Sequence, residues 1–250
     1  MKKENYVASS ATHRRGGENI EIIPAILPKD FDELERKLAL LKDVSVILGE
    51  QKKMVVQMDI CDGLFVETKT WPYWEGDVLE KLAPFRDVFD FEIDLFVQNP
   101  KSAISNWQEI GAKRIILHIE SLIDQSLSEL FIELDVQATQ FGFSLNLETA
   151  TKGLDQYVRD ADFFQFMGIN KIGHQGEKFN KGVLKKIKIF RQNNPDVIIS
   201  VDGGVNLKNS QDLVKMGANR LVVGSVIFGK HNAEEIVQII KKFRKIHPVK

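Results

Sequence analysis

Eight short apolar runs, each separated from the next by an amphipathic stretch, constrain the fold of this chain more than any other feature. They lie at 21–27, 54–60, 91–97, 114–119, 142–147, 163–169, 197–201 and 220–227. The runs are rich in Val, Ile and Phe, which is typical of parallel strands buried on both faces. Eight strands alternating with helices predict an α/β protein with a single (β/α)8 TIM barrel. A doubly wound open sheet is the less economical interpretation, because it would leave strand edges to protect.

The stretches between the runs carry helix signals. Asp30 is placed to cap a helix whose leucines recur at helical spacing. Asn99 and Pro100 fit the cap and first residue of a helix ending near Gly111. The segment 206–217 opens on Asn and closes on Gly, which is the expected order of helix caps.

The chain divides into two parts. Residues 1–19 are mostly polar, and we expect them to form a disordered or loosely ordered N-terminal tail. Residues 20–250 contain all eight runs without a shift in composition, and we expect them to form one barrel domain. The hydrophobic fraction of 43% is enough for one large core.

Charge and cysteine content exclude several classes of protein. A net charge of −1 gives no overall field that would attract nucleic acid or an anionic membrane. No apolar stretch approaches the roughly 20 residues that span a bilayer. The single cysteine, Cys61, excludes an internal disulfide and fits a reducing compartment. We therefore expect a cytoplasmic protein without nucleic-acid or membrane partners.

Polar residues interrupt the apolar runs near their C-terminal ends. In a parallel barrel these ends meet at one mouth, where such proteins perform their chemistry. Asp59 and Asp202 each end a run and precede a glycine-bearing turn. Two carboxylates facing a small substrate can remove a proton from one face and return it to the other, which is what an epimerase requires. The other polar residues are Gln57, Asp94, His118, Glu120, Asn146 and Ser225.

A structural explanation exists for some of these residues. Buried polar groups can be satisfied within the core, and Asp202 followed by two glycines also fits a simple turn. For His118 a packed core role and a site role are equally consistent with the pattern. It is the placement of polar residues at the same end of successive runs that favours a site.

Glycines after the late strands indicate an anion-binding site. Gly203 and Gly204 follow the seventh run, and Gly224 and Ser225 interrupt the eighth. Glycine allows backbone N–H groups to approach a phosphate closely. The loop after the sixth run, 172–178, contains Gly173 and Gly176 and is able to close over the same group.

Together these segments resemble the ribulose-phosphate 3-epimerase family, between about Ile23 and Phe228. The segments that carry the resemblance are 24–27, 58–63 with 65–66, 95–100, 118–120, 145–146 with 149, 167–179, 201–204 and 224–228. The resemblance implies a TIM barrel acting on a small phosphorylated sugar. It also implies a homo-oligomer and no organic cofactor.

The resemblance assigns roles to individual residues. Asp59 and Asp202 match the family's two aspartates, which act on opposite faces of C3 and also bind a divalent metal. Met167 matches a methionine that lines the family's site. We therefore predict catalysis and metal binding by the two aspartates. Substrate or phosphate binding is predicted for Asn146, Met167, Gly173, Gly176, Gly203, Gly204, Gly224 and Ser225.

The metal ligands depart from the family pattern. Where the family has two histidines, this chain has Gln57 and Asp94. If both contribute, the site is built from oxygen ligands and favours Mg or Mn over Zn or Fe. Three crowded carboxylates repel one another unless a cation is bound, an acid is protonated or Asp94 turns away.

The loop and the floor of the site also differ. The family's opening serine is Ala25, and the loop 172–177 has an extra residue near Lys171. The leading hypothesis is a two-aspartate epimerase that interconverts ribulose 5-phosphate and xylulose 5-phosphate through an enediolate. The alternatives are a related barrel isomerase or lyase for another keto-sugar phosphate, and an inactive paralogue that only binds a phosphosugar.

Overall fold

The chain folds into a closed barrel of eight parallel strands. The computed structural model describes residues 20–74, 79–122, 130, 136–230 and 232–247. The strands pair in sequence order, and β1 also pairs with β8. They are β1 (Glu21–Ile26), β2 (Met54–Cys61), β3 (Phe89–Phe96), β4 (Arg114–His118), β5 (Gln140–Leu145), β6 (Phe163–Met167), β7 (Ile198–Asp202) and β8 (Arg220–Val223).

Helices surround the strands. They are α1 (Phe31–Leu48), α2 (Pro100–Glu109), α3 (Asp155–Asp160), α4 (Gly182–Asn193), α5 (Ser210–Met216), α6 (Ser225–Phe228) and α7 (Ala233–Phe243). Two 3₁₀ helices span Leu79–Phe85 and Ile119–Leu122. Leu34, Leu38 and Leu41 of α1 are fully buried against the barrel, which is the helical spacing seen in the sequence.

The predicted (β/α)8 barrel is confirmed. The cap of α1 is also confirmed, since the Asp30 carboxylate accepts a hydrogen bond from the Glu33 N–H. Asn99 precedes α2 as predicted, although its side chain makes no capping hydrogen bond.

Several predicted boundaries differ from the structure by one or two residues, and two are wrong by four. The eighth strand ends at Val223 and not at residue 227, because the chain leaves the sheet at Gly224 and Ser225–Phe228 forms a short helix. An apolar run of this length does not distinguish a strand from a buried helix. The helix α5 begins at Ser210 and not at Asn206, whose carbonyl instead accepts hydrogen bonds from the N–H groups of Asn209 and Ser210 in a preceding turn.

Charged side chains close the end of the barrel where the strands begin. Glu21 Oε1 lies 3.1 Å from Arg114 Nη2, and Glu21 Oε2 lies 2.9 Å from Arg220 Nε. The fully buried Glu92 lies 3.2 Å from Arg114 Nη1. These pairs compensate buried charge and leave the opposite end, where the strands finish, open for chemistry.

The predicted tail, residues 1–19, lies outside the described residues. Within the described part of the chain, every helix is too short or too polar to cross a bilayer.

Candidate active site

Three aspartates converge where the strands of the barrel end. Asp59 and Asp94 are directly paired in the register of β2 and β3, and Asp202 ends β7. One carboxylate oxygen from each lies within 4.8 Å of the other two. The structure therefore brings together the two predicted catalytic acids and the predicted additional ligand Asp94.

The Gln57 side chain joins the two predicted catalytic acids. Its Nε2 donates to Asp59 Oδ1 at 2.8 Å and to Asp202 Oδ2 at 3.2 Å. The backbone N–H of Gly203 donates to Asp202 Oδ1 at 2.7 Å. Since the amide group of Gln57 is itself buried, these bonds hold both carboxylates in fixed positions next to each other.

Asp94 is held from its other side. Gln165 Nε2 donates to Asp94 Oδ2 at 2.7 Å, and Ser200 Oγ donates to Gln165 Oε1 at 3.3 Å. His118 Nε2 lies 3.1 Å from Asp94 Oδ1. Both carboxylate oxygens of Asp94 are therefore held inside the barrel, and Asp94 does not turn away from the cluster. The alternative in which its turning away relieves the repulsion among the three acids is wrong.

Burial and mutual repulsion make the three carboxylates hard to ionise. Desolvation, and then the charges of Asp202 and Asp94, hold the pKa of Asp59 well above its usual range. Desolvation and Glu92 do the same for the pKa of Asp94. Desolvation and Asp94 raise the pKa of Asp202 to about 7. Asp202 therefore exists in both protonation states near neutral pH.

The cluster fits a hard divalent cation. All three acids are buried, and among the described residues each contacts amide or imidazole nitrogen and no lysine or arginine. Gln57 Oε1 is buried and has no hydrogen-bond partner in the described part of the chain, so a rotated amide would offer a fourth oxygen. An oxygen set of this kind suits Mg or Mn, and such a cation would compensate the negative charge of the three acids.

His118 is both a packed residue and a member of the site. The ring is fully buried, 4.3 Å from the Phe96 ring and 5.3 Å from the Phe65 ring between centroids. Desolvation lowers the pKa of His118 to about 4, so the ring is neutral at pH 7. The core role and the site role that the sequence left open are therefore compatible, because the ring contacts Asp94 while it packs on Phe96.

A cleft beside the acids contains most of the predicted substrate-binding residues. Its walls include Asp59 and Asp202. They also include Met167, Gly173, Gly176, Gly203, Gly204, Gly224 and Ser225. Asn146 is not among these residues. Its N–H donates to Glu120 and its carbonyl oxygen accepts from Lys186, so its backbone joins β5 to neighbouring segments.

The loop after β6, which lines the cleft, contacts the loop after β2. Gly173 has φ of 76°, and a Cβ there would lie 2.8 Å from Val66 Cγ2, so both conformation and space require glycine. Lys171, beside the extra position in the sequence, lies 3.1 Å from Glu67 through Nζ and Oε2.

Sequence reasoning missed two glutamines. Gln165 interrupts the apolar run of β6, a signal of the same kind as the one that singled out Gln57. Gln175 gave no signal, because its role depends on how the loop after β6 folds back. It reaches across the cleft, and its Nε2 donates to the Ala25 carbonyl at 3.3 Å.

Comparisons with known proteins show which family this chain resembles. A model of the "Ribulose-phosphate 3 epimerase family" matches residues 21–228. The ribulose-phosphate 3-epimerase of Bacillus subtilis (strain 168) is 28% identical over 228 residues, which cover 89% of this chain and 98% of that protein. The ribulose-phosphate 3-epimerase of Aquifex aeolicus (strain VF5) is 31% identical over 195 residues, covering 75% and 83%.

A solved structure supports the fold alone. The 3-keto-L-gulonate-6-phosphate decarboxylase of Vibrio cholerae superposes with a TM-score of 0.63 at 10% identity, covering 92% of this chain and all (100%) of that chain. At this level of identity the likeness concerns the barrel and not the chemistry.

Proposed function

This chain belongs to the ribulose-phosphate 3-epimerase family and is an isomerase of the epimerase type, and on that premise we propose that it interconverts D-ribulose 5-phosphate and D-xylulose 5-phosphate. Asp59 and Asp202 transfer the proton at C3 of the sugar. The reaction passes through an enediolate.

The observation that carries the proposal is the pairing of Asp59 with Asp202. They come from opposite parts of the chain, share the Gln57 amide and border the same cleft. They are also the members of the cluster that reach the cleft, with 8% and 9% of their surfaces exposed, while Asp94 is fully buried. A substrate in the cleft therefore meets Asp59 and Asp202 directly, but not Asp94.

Each acid has a distinct part in either direction of the reaction. The C3 proton lies next to the C2 carbonyl, so its removal by one carboxylate leaves an enediolate. The opposite acid then donates a proton to C3 from the other face, which inverts that carbon. In the reverse reaction the two acids exchange roles. A pKa of about 7 suits Asp202 to both roles near neutral pH.

Asp59, Asp94 and Asp202 would hold a divalent cation, with Gln57 as a further oxygen ligand. When bound, such a cation supplies positive charge that stabilises the negative charge developing on the substrate. We favour Mg or Mn over Zn or Fe because every ligand is an oxygen. Gln165 and His118 keep Asp94 in position for this role.

The same cleft also suits a phosphate. The backbone N–H groups of Gly204 and Ser225 have no acceptor among the described residues. Gly204 has φ of 68°, and a Cβ there would lie 2.8 Å from the backbone of Phe179, so the turn requires glycine. Free N–H groups in a glycine-lined concavity bind anions without a lysine or arginine.

The test is turnover of D-ribulose 5-phosphate by the purified protein with Mn or Mg, following D-xylulose 5-phosphate. We expect turnover that chelation with EDTA reduces and that added Mn or Mg restores. Absence of turnover with any divalent metal, in a protein whose unfolding remains cooperative, would contradict the proposal. Assembly into a homo-oligomer and a cytoplasmic location remain part of the proposal, and light scattering of the purified protein tests the first.

A further inference from the structure

Gln175 occupies a corner of the cleft that the proposed reaction has not yet used. Much of the residue is exposed on the loop after β6, but its amide end extends inward. Nε2 donates to the Ala25 carbonyl of β1 at 3.3 Å. Because only the amide nitrogen is able to donate to a carbonyl, this bond fixes which end of the amide faces the interior.

The amide lies directly beside Gly224. A Cβ on Gly224 would be 3.1 Å from Gln175 Nε2 and 3.2 Å from the Ala25 oxygen. The space that Gly224 leaves free is thus the space in which the amide lies. The next residue, Ser225, carries one of the N–H groups without an acceptor among the described residues.

The amide nitrogen of Gln175 has a second hydrogen that it is able to donate. An NH₂ group has two hydrogens to donate, and the Ala25 carbonyl is the one acceptor that Gln175 Nε2 has in the described part of the chain. The acceptor bond is long, so it holds the amide only weakly. The remaining N–H is available to a ligand atom in the cleft near Ser225.

An anion bound in this cleft depends on neutral hydrogen-bond donors, because the charged side chains that line the cleft are acidic. Within the described residues, no lysine or arginine lines the cleft, while Glu177 does. A phosphate held by backbone N–H groups beside a carboxylate gains from an additional neutral donor. We propose that Gln175 donates a hydrogen bond to the phosphoryl group of the substrate and thereby contributes to affinity for phosphorylated sugars. This inference rests on the function proposed above.

The experiment compares Gln175→Ala and Gln175→Glu with the unaltered protein. Steady-state kinetics use D-ribulose 5-phosphate with Mn, and calorimetric titration uses inorganic phosphate. We expect Gln175→Ala to raise KM and to weaken phosphate binding, each about tenfold, with kcat within about twofold, because a donor to a charged group is lost. Gln175→Glu should weaken both further, since a carboxylate repels phosphate at similar side-chain size.

Gln51→Ala is the matched control. Gln51 is an exposed glutamine before β2, at the end of the barrel away from the cleft, and its replacement should leave KM and phosphate affinity unchanged. KM and phosphate affinity of Gln175→Ala within about twofold of the unaltered values would overturn the inference. So would a loss of kcat at constant KM. If the unaltered protein does not turn over the sugar, the proposed function fails, while the phosphate titration still decides the role of Gln175.

Discussion

Replacing Asp202 by asparagine is expected to lower kcat for ribulose 5-phosphate by a factor of about 10²–10⁴, the usual contribution of a positioned acid or base. Asparagine preserves the size of the side chain and an oxygen for the Gly203 N–H that donates to Asp202. It removes the group that exchanges a proton at C3. Asp59→Asn should have an effect of the same order, because both faces of C3 need a proton carrier.

The measurement is steady-state kinetics with the substrate in excess and Mn present. Asp43→Asn is the control, since Asp43 is an exposed carboxylate on α1 and its replacement should leave kcat unchanged. Loss of activity through unfolding is excluded by urea denaturation of each variant. If Asp202→Asn folds and retains kcat within about threefold, Asp202 is not a proton carrier and the two-acid account is wrong.

The second large effect is a fall in the free energy of unfolding of the metal-free protein as the pH rises. The folded state raises the pKa of Asp202 from 3.8 to about 7, so between these values it binds more protons than the unfolded state. The contribution of Asp202 to the free energy of unfolding is therefore largest below about pH 4, and it is lost as the pH rises through about 7. From about pH 5 to about pH 8 the loss is about 3 kcal/mol, because the free energy of unfolding falls by about 1.4 kcal/mol per pH unit until Asp202 ionises in the folded state.

Urea denaturation in EDTA at about pH 5 and about pH 8 measures this loss. Asp202→Asn lacks the titrating group, so its free energy of unfolding should fall less over the same interval, by about 3 kcal/mol. Carboxylates outside the cluster change both proteins alike and cancel in the comparison, whereas Asp59 loses the repulsion of Asp202 in the variant, which acts in the same direction. Equal pH dependence of the two proteins would contradict the raised pKa.

Added Mg or Mn should reverse the effect at high pH. A cation binds the deprotonated acids of the folded protein, and at a hundredfold excess over its dissociation constant it stabilises by about 2.7 kcal/mol. Asp94→Asn should be more stable than the unaltered protein in EDTA at about pH 8, because one of three repelling charges is gone. The same variant should lose most of the stabilisation by the cation.

The strand pattern was sufficient to predict the barrel and the position of its principal acids. Asp59 and Asp202 were predictable because each interrupts an apolar run where parallel strands end, and all such ends meet at one mouth. The end of β8 was not predictable, because Val226, Ile227 and Phe228 are equally apolar in a strand and in a short buried helix.

Side-chain contacts within the site were less accessible from sequence. The contact between His118 and Asp94 depends on which face of β4 points inward and on the packing of His118 against Phe96. Gln175 was missed for a different reason. Its amide meets Ala25 only because the loop after β6 folds back over the cleft, and loop conformation has no periodic signal in sequence.

Proton transfer by two acids is tested most directly by running the reaction in deuterated water and following the C3 hydrogen by NMR. If one acid removes the original proton and a second acid, equilibrated with solvent, supplies another, newly formed xylulose 5-phosphate carries deuterium at C3. Product that retains the substrate's own hydrogen at C3 would mean that a single group carried it across, and inversion between two carboxylates would be refuted.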